Sequence, residues 1–428
     1  MARLEIVGGV RLEGEVEVSG AKNSILPIMA ASLLSREPCC LVEVPRLADV
    51  STMQEVLEFL GARVGWTGRN LWLDPRDVRP REVPPGLMRR LRASNLVMGA
   101  VLGRFREVRV AYPGGCAIGS RPMDLHLKGF VALGAEIRED HGFIEARARQ
   151  LRGADIHLDF PSVGATENIM MAAVLAEGTT VIRNAAKEPE IVDLQNFLNR
   201  LGARVKGAGS DVIRIQGVKS LGGAEYQVIP DRIEAGTHLV AAAITRGRVV
   251  VKNVIPEHLE AVTAKLREVG VRIEVLEPPS AVLVEASGRL RGVDCKTLPY
   301  PGFPTDMQPQ MMALLATTEG TSVITESIFE SRFKHVDELR RMGAQIKVEG
   351  RVAVVHGVPR LSGAVVEATD LRAAAALVLA GLAAENTTVL EGVEHLDRGY
   401  EQLDWKYRGL GATIIREDLP QAAGGVGG

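Results

Sequence analysis

The chain has 428 residues, 46% hydrophobic and 24% charged, the make-up of an ordinary globular protein and not of a disordered or fibrous one. Its 51 basic and 53 acidic residues leave a formal charge of −2, and no basic run is interleaved with aromatics, which argues against a nucleic-acid partner. The start MARLEIVGG has no apolar signal region and no stretch of about 18 residues is free of charges and turn residues, so a cytoplasmic chain is expected and a membrane-spanning one is not.

A chain of this length exceeds what one core can hold and predicts two domains of about 200 residues. Cys39, Cys40, Cys116 and Cys295 have no metal-ligand spacing, and adjacent Cys39 and Cys40 sit in a β-like run, which speaks against a disulfide framework.

From the N-terminus, RLEGEVEV predicts a turn and a strand, and NSILPIMAASLL after Gly20 predicts an apolar helix. An amphipathic helix then ends in EFLGARV, and that ending recurs as FVALGAEI, FLNRLGARV, KLREVGVRI, ELRRMGAQI and YRGLGATI. The six glycines, Gly61, Gly134, Gly202, Gly270, Gly343 and Gly411, are spaced by 68 or 73 residues, a regularity that marks an internal repeat. A glycine just past a helix fits a C-terminal cap, and the branched residues after it suit a strand.

A second marker, turn plus strand, recurs at QLRGADIHL, SLGGAEYQV, RLRGVDCKT and RLSGAVVEA. It runs into apolar helical patterns such as ENIMMAAVLA after Thr166 and DLRAAAALVLAGLAAE after Thr369. Each repeat thus reads as a βαβαββ-like unit. Three units per domain make a pseudo-threefold body, and helices apolar on every side argue for helices inside and sheets outside. The predicted fold class is α/β.

The opening strand resembles the opening strand of each later unit. This predicts that residues 1–19 join 230–428 in one domain while 20–229 form the other, with hinge crossings near Ser19-Gly20 and Ile229-Pro230-Asp231.

Polar residues interrupt the pattern at helix beginnings: Lys22, Asn23, Arg92, Thr166, Asp231, Arg232, Asp306, Asp370 and Arg372. The unpaired N–H groups of a helix start favour anions, and Lys or Arg adds charge-assisted hydrogen bonds. Taken singly, Asp and Thr at such places are ordinary caps and the cations can face solvent; as a set they point to one central cleft. In AYPGGCAIGSRPMDLHLKGF, Gly114 and Gly115 permit tight geometry, Arg121 brings positive charge near Cys116, and Pro122 suits a first helical turn. A thiol so placed is a candidate proton donor or nucleophile on a mobile loop, against the alternative of an inert buried thiol.

Taken together, SGAKNSILP, PGGCAIGSRPMDLH, PSVGATENIM, VIPDRIEAGTHLVAAAI, PGFPTDMQPQ, FESRFKHVDEL, ATDLRAAAALVLAGLA and HLDRGYEQLDWKYRGLGA resemble the UDP-N-acetylglucosamine 1-carboxyvinyltransferase family, one of the enolpyruvyl transferases. The resemblance covers essentially residues 1 to 417. It implies two inside-out α/β barrels around a cleft, and transfer of enolpyruvyl from phosphoenolpyruvate to the 3′-hydroxyl of UDP-N-acetylglucosamine with release of phosphate. It implies no metal or organic cofactor, no membrane and no obligate protein partner.

By the same resemblance Cys116 is the loop general acid, able also to form an adduct with phosphoenolpyruvate, and Asp306 is the base or orients the hydroxyl. Lys22 holds phosphoenolpyruvate with Asn23 beside it; Arg121, Arg398 and Arg372 meet its anionic groups, and Arg92 completes the cationic lining. Arg121, Pro122, Met123, Asp124 and Leu125, with Ser162, Val163 and Gly164, contact the nucleotide end, and Ile328 frames the sugar with Asp306. Phe160-Pro161 departs from relatives that carry a basic residue nearby and leaves the number of diphosphate contacts open. Two alternatives stand beside this reading: 3-phosphoshikimate 1-carboxyvinyltransferase, and a noncatalytic nucleotide-sugar-binding regulator.

Overall fold

A computed structural model describes residues 2–112, 123–277 and 280–418, and for Arg92 the backbone alone. The six repeat glycines each end a helix with positive φ, from 91° at Gly343 to 107° at Gly270. At each, the next residue donates its N–H back into the helix: Ala62 to Leu57, Ala135 to Phe130, Ala203 to Leu198, Val271 to Leu266, Ala344 to Leu339 and Ala412 to Tyr407. This closure satisfies the last carbonyls and aims the chain into a strand.

Six further helices carry the apolar patterns. They are α1 (Lys22–Ala31), α2 (Val97–Phe105), α3 (Val163–Ala173), α4 (Arg232–Ile244), α5 (Gln308–Leu315) and α6 (Leu371–Ala383). Every residue of α5 is buried, as is every residue of α4 after Arg232; only a helix covered on all sides needs no polar stripe. α4, α5 and α6 pack on one another, and α2 packs on both α1 and α3. Small residues allow the close approach, since a Cβ added at Gly99 would stand 2.3 Å from the Asn168 carbonyl oxygen.

The strands form five four-stranded sheets and one three-stranded sheet among the described residues. After the glycine comes an antiparallel hairpin, for example Arg272–Leu276 with Ala281–Glu285. Its second strand pairs antiparallel with the strand leaving an apolar helix, here Arg248–Lys252, and a marker strand adds in parallel at the far side. In the three-stranded sheet a single parallel bridge, Val83 to Val110, stands where the others have that fourth strand. In the last repeat the hairpin partner of Thr413–Asp418 is the N-terminal strand Ala2–Val7, which also pairs with Thr387–Glu391.

Three marker strands pair with the strand that follows their own helix: Asp155–His157 with Thr179–Arg183, Cys295–Lys296 with Thr321–Thr325, and Val365–Glu367 with Thr387–Glu391. Two exchange partners. Glu13–Glu17 precedes α1 yet pairs with Arg248–Lys252 after α4, and Glu225–Gln227 precedes α4 yet pairs with Cys39–Val42 after α1. The chain accordingly splits into two compact units at Ser19/Gly20 and at Ile229/Pro230, each with its own hydrophobic core. The fold is α/β, with two units of like construction.

One helix boundary differs from the sequence pattern. α3 begins at Val163 and not after Thr166, because the Ser162 hydroxyl accepts the Ala165 N–H at 3.3 Å and caps the helix there. Thr166 lies within the helix, where its hydroxyl donates to the Ser162 carbonyl at 2.8 Å and accepts the Ala186 N–H at 3.1 Å.

Candidate active site

Helix starts gather the polar residues, and in the unit holding α4, α5 and α6 their roles divide. Asp231 and Asp370 are caps: Asp231 accepts the N–H groups of Ile233 and Glu234, and Asp370 those of Arg372 and Ala373. Asp306 is not. It sits in the 3-10 turn Thr305–Met307 ahead of α5, and its carboxylate lies between two guanidinium groups. Arg332 donates through Nη2 to Oδ1 at 2.9 Å, and Arg372 through Nη2 and Nε to Oδ2 at 3.0 and 3.3 Å.

Both arginines are buried, Arg372 to 2% exposure and Arg332 to 3%, while the Asp306 side chain keeps 25%. The carboxylate is therefore held from behind and open in front. Burial opposes the charge of Arg372, and Tyr400, Asp306 and Asp231 around it outweigh that, holding the guanidinium more firmly protonated than an ordinary arginine. Arg372 also donates through Nη1 to the Tyr400 hydroxyl at 3.1 Å, and Gln310 donates to the same oxygen at 3.1 Å. Arg332 spends only one of its donors on Asp306: its buried Nε and Nη1 have no hydrogen-bond partner among the described residues. Two buried donor nitrogens without partners suit an anion.

Ile328 is half-buried, and its N–H donates to Glu326 at 2.8 Å. Arg398, also half-buried, closes the short helix Glu394–Asp397. The structure thus brings Asp306 and Arg372 into direct contact, and adds Arg332 and Tyr400, which the sequence reading did not single out.

In the other unit Lys22 opens α1, is 7% exposed, and pairs through Nζ with Asp49 at 2.8 Å. Pro27 inside α1 has no N–H to give the Asn23 carbonyl, so the first turn keeps an acceptor beside Lys22. Ser162, Val163 and Gly164 form the capped start of α3, a helix end that suits phosphate. Met123 precedes the helix Asp124–Ala132, whose His126 packs on Gly164: a Cβ there would come 3.2 Å from the imidazole. Asn168 donates to His126 Nδ1 at 2.9 Å and accepts the Gly99 N–H at 2.7 Å. Met123, Asp124 and Leu125 are thereby tied to the Ser162–Gly164 turn through His126. Arg92 opens a 3-10 turn, Arg92–Leu96, ahead of α2. Its side chain lies outside the described residues, as do Cys116, Arg121 and Pro122.

No group of three or more His, Cys, Asp or Glu among the described residues has the arrangement to hold a metal ion. Asp49 and Arg332 carried weak sequence signals, an Asp on an amphipathic helix and an Arg flanked by phenylalanines. Neither shows a partner until the fold supplies one.

The buried cations and the carboxylate sit on a two-unit α/β repeat scaffold of the EPSP synthase class: a family model for EPSP synthase (3-phosphoshikimate 1-carboxyvinyltransferase) matches residues 6–406. In overall structure the chain is similar to the enolpyruvyl transferase NikO from Streptomyces tendae, with a TM-score of 0.87 at 28% identity over 98% of this chain and 99% of that one. At 59% identity over 97% of this chain and 98% of the relative, it is similar to UDP-N-acetylglucosamine 1-carboxyvinyltransferase 1 of Carboxydothermus hydrogenoformans. The counterpart from Symbiobacterium thermophilum is 60% identical over 97% and 95% of the two chains. The chain belongs to the UDP-N-acetylglucosamine 1-carboxyvinyltransferase family.

Proposed function

We propose that the protein transfers the enolpyruvyl group of phosphoenolpyruvate to the 3′-hydroxyl of UDP-N-acetylglucosamine and releases phosphate, the first committed step of peptidoglycan synthesis. The observation that carries the reading is Asp306 held by Arg332 and Arg372, in a chain more than half identical to named carboxyvinyltransferases along nearly its whole length. A carboxylate clamped from behind and open in front suits a group that orients or deprotonates an acceptor hydroxyl.

In addition, C3 of phosphoenolpyruvate gains a proton from the Cys116 thiol while the 3′-oxygen bonds to C2 and gives up its proton to Asp306. The product is a tetrahedral ketal. In elimination the C2–O bond to phosphate breaks, C3 returns a proton, and the double bond reforms. Lys22 with Asn23, and Arg92, Arg121, Arg372 and Arg398, neutralise the phosphate and carboxylate; each fully engaged clamp is worth about 2 to 4 kcal/mol of transition-state stabilisation. Residues 121–125 and 162–164 hold the nucleotide end, and Ile328 the sugar.

In each unit three sheets close around the buried helices as an inside-out barrel, a reading supported by the mutual packing of α4, α5 and α6 and by the even sheet pattern. Use of phosphoenolpyruvate and a nucleotide sugar supports a cytoplasmic location, and no helix among the described residues is long and apolar enough to cross a membrane.

The test mixes the full chain with phosphoenolpyruvate and either UDP-N-acetylglucosamine or shikimate 3-phosphate, and measures inorganic phosphate. Release with the nucleotide sugar alone is expected. Release with shikimate 3-phosphate alone would transfer the assignment to the sister activity, and binding without release would leave a nucleotide-sugar-binding regulator. An epoxide phosphonate should alkylate Cys116 faster with nucleotide sugar present; peptide mapping that finds the label elsewhere would remove Cys116 from its role.

A further inference from the structure

Glu326 immediately follows the strand Thr321–Thr325. It is fully buried, and its carboxylate accepts four hydrogen bonds. The Thr297 hydroxyl donates to Oε1 at 2.8 Å, the Ile328 N–H at 2.8 Å and the Phe329 N–H at 3.1 Å, while the Thr305 hydroxyl donates to Oε2 at 3.0 Å. No Lys, Arg or His of the described residues pairs with it. A buried carboxylate without a cation is costly unless its lone pairs are filled, and here neutral donors fill them.

Those donors sit on three segments. Thr305 immediately precedes Asp306 in the same 3-10 turn. Ile328 and Phe329 lead to Arg332, whose guanidinium lies over the Phe329 ring at 5.5 Å and donates to Asp306. Thr297 also accepts the Ser327 N–H at 2.8 Å, fixing the start of the same loop. One carboxylate therefore pins both the turn carrying Asp306 and the loop carrying its partner Arg332, along with Ile328.

We infer that Glu326 is a positioning residue for the acceptor hydroxyl: through Thr305, Ile328 and Phe329 it sets the placement of Asp306 against Arg332. The inference rests on the enolpyruvyl-transfer reading above. It explains a buried carboxyl group at a place where an apolar side chain would serve stability as well or better.

The test uses Glu326→Ala, Glu326→Gln and Thr305→Val in the full chain, assayed for phosphate release well below their melting temperatures. Glu326→Ala frees the Ile328 and Phe329 N–H groups, and displacement of Asp306 by an ångström-scale shift should lower kcat ~100-fold. KM for the nucleotide sugar should rise ~10-fold while KM for phosphoenolpyruvate stays within ~2-fold, because the lost contacts sit on the acceptor side. Glu326→Gln should restore kcat to within ~3-fold of wild type, since its amide oxygen can accept both N–H groups and the Thr305 hydroxyl can rotate to meet its NH2. Thr305→Val, nearly isosteric, should fall between, and it carries the test if Glu326→Ala does not fold.

A merely structural role lowers the melting temperature and leaves kcat and both KM values at wild-type levels in every folded variant, which would overturn the inference and spare the functional reading. An equal rise in both KM values would overturn it too. Wild-type protein that releases no phosphate overturns the reading and the inference together. Hydrogen exchange of the Ile328 and Phe329 amides reads the pinning without substrate: faster exchange in Glu326→Ala is expected, and unchanged exchange sinks the inference whatever the assay gives.

Discussion

Asp306 shows how little a residue's identity says before its partners are known. In sequence it is one more Asp at a helix start, the same signal as Asp231 and Asp370, which serve as caps. What separates it is Arg332 and Arg372 arriving from distant segments at 2.9 and 3.0 Å. Asp306→Asn keeps the shape and loses the charge, so kcat should fall by about two to three decades while nucleotide-sugar binding changes little. Steady-state kinetics alongside calorimetric titration of the nucleotide sugar would check this, and a fall confined to KM would remove Asp306 from proton handling. Lys22 was legible in the sequence as a cation at a helix start; its partner Asp49 was not, because a buried ion pair between two helices leaves no local pattern.

Glu167, on α3, is a second residue whose state is set by surroundings. Burial first, then the neighbouring carboxylates Glu190 and Glu188, raise its pKa well above the ordinary 4.5. The folded state therefore holds a proton that the unfolded state loses near pH 4.5, so this group's contribution to stability is present below that pH and declines as pH rises toward the raised value. Glu167→Gln mimics the protonated form at every pH. Its stability relative to wild type should climb by about 1.4 kcal/mol per pH unit through that window, measured by urea unfolding between pH 5 and 8. A difference that stays flat with pH would mean Glu167 ionises normally in the fold.

At the scale of elements, the repeat was readable because its punctuation is chemical. A helix that turns directly into a strand needs positive φ at its end, and glycine is the residue that adopts it at least cost. Gly202 isolates that term: φ is 102° and an added Cβ would meet nothing within 4 Å. Gly202→Ala should therefore cost about 1 to 2 kcal/mol from backbone strain alone, seen as a lower urea midpoint with unchanged kcat per folded molecule. Loss of activity without loss of stability would contradict a purely conformational role.

Other elements escaped the pattern for equally physical reasons. The start of α3 was missed because Ser162, not Thr166, supplies the capping oxygen, and both residues carry a hydroxyl. The fourth strand of one sheet shrinks to the single bridge at Val83, too short for any alternation to show. Glu326 and Tyr400 were invisible because a Glu after a strand and a Tyr before a helix are common, and only the tertiary donors around them give meaning.

For the whole molecule, strand exchange makes a claim about folding that contiguous division would not. Residues 20–229 contain every strand of their own three sheets, the parallel pair Glu225–Gln227 with Cys39–Val42 included. Residues 230–428 do not. They lack Ala2–Val7, which sits between Thr387–Glu391 and Thr413–Asp418, and Glu13–Glu17, which covers the edge of Arg248–Lys252. Without the first, Thr413–Asp418 loses its pairing, Thr387–Glu391 loses one of its two neighbours, and the buried Leu4 and Ile6 are absent from the core; removing side chains of that kind typically costs about 2 to 5 kcal/mol each, against a total stability of about 5 to 15 kcal/mol. Expressed alone, 20–229 should unfold cooperatively, whereas 230–428 should be unfolded or aggregated. Joining residues 2–19 to the C-terminal end of 230–418 through a Gly/Ser linker should restore a cooperative transition by circular dichroism. If 230–428 folds without that segment, the N-terminal strands are an accessory to the unit and not part of its closure.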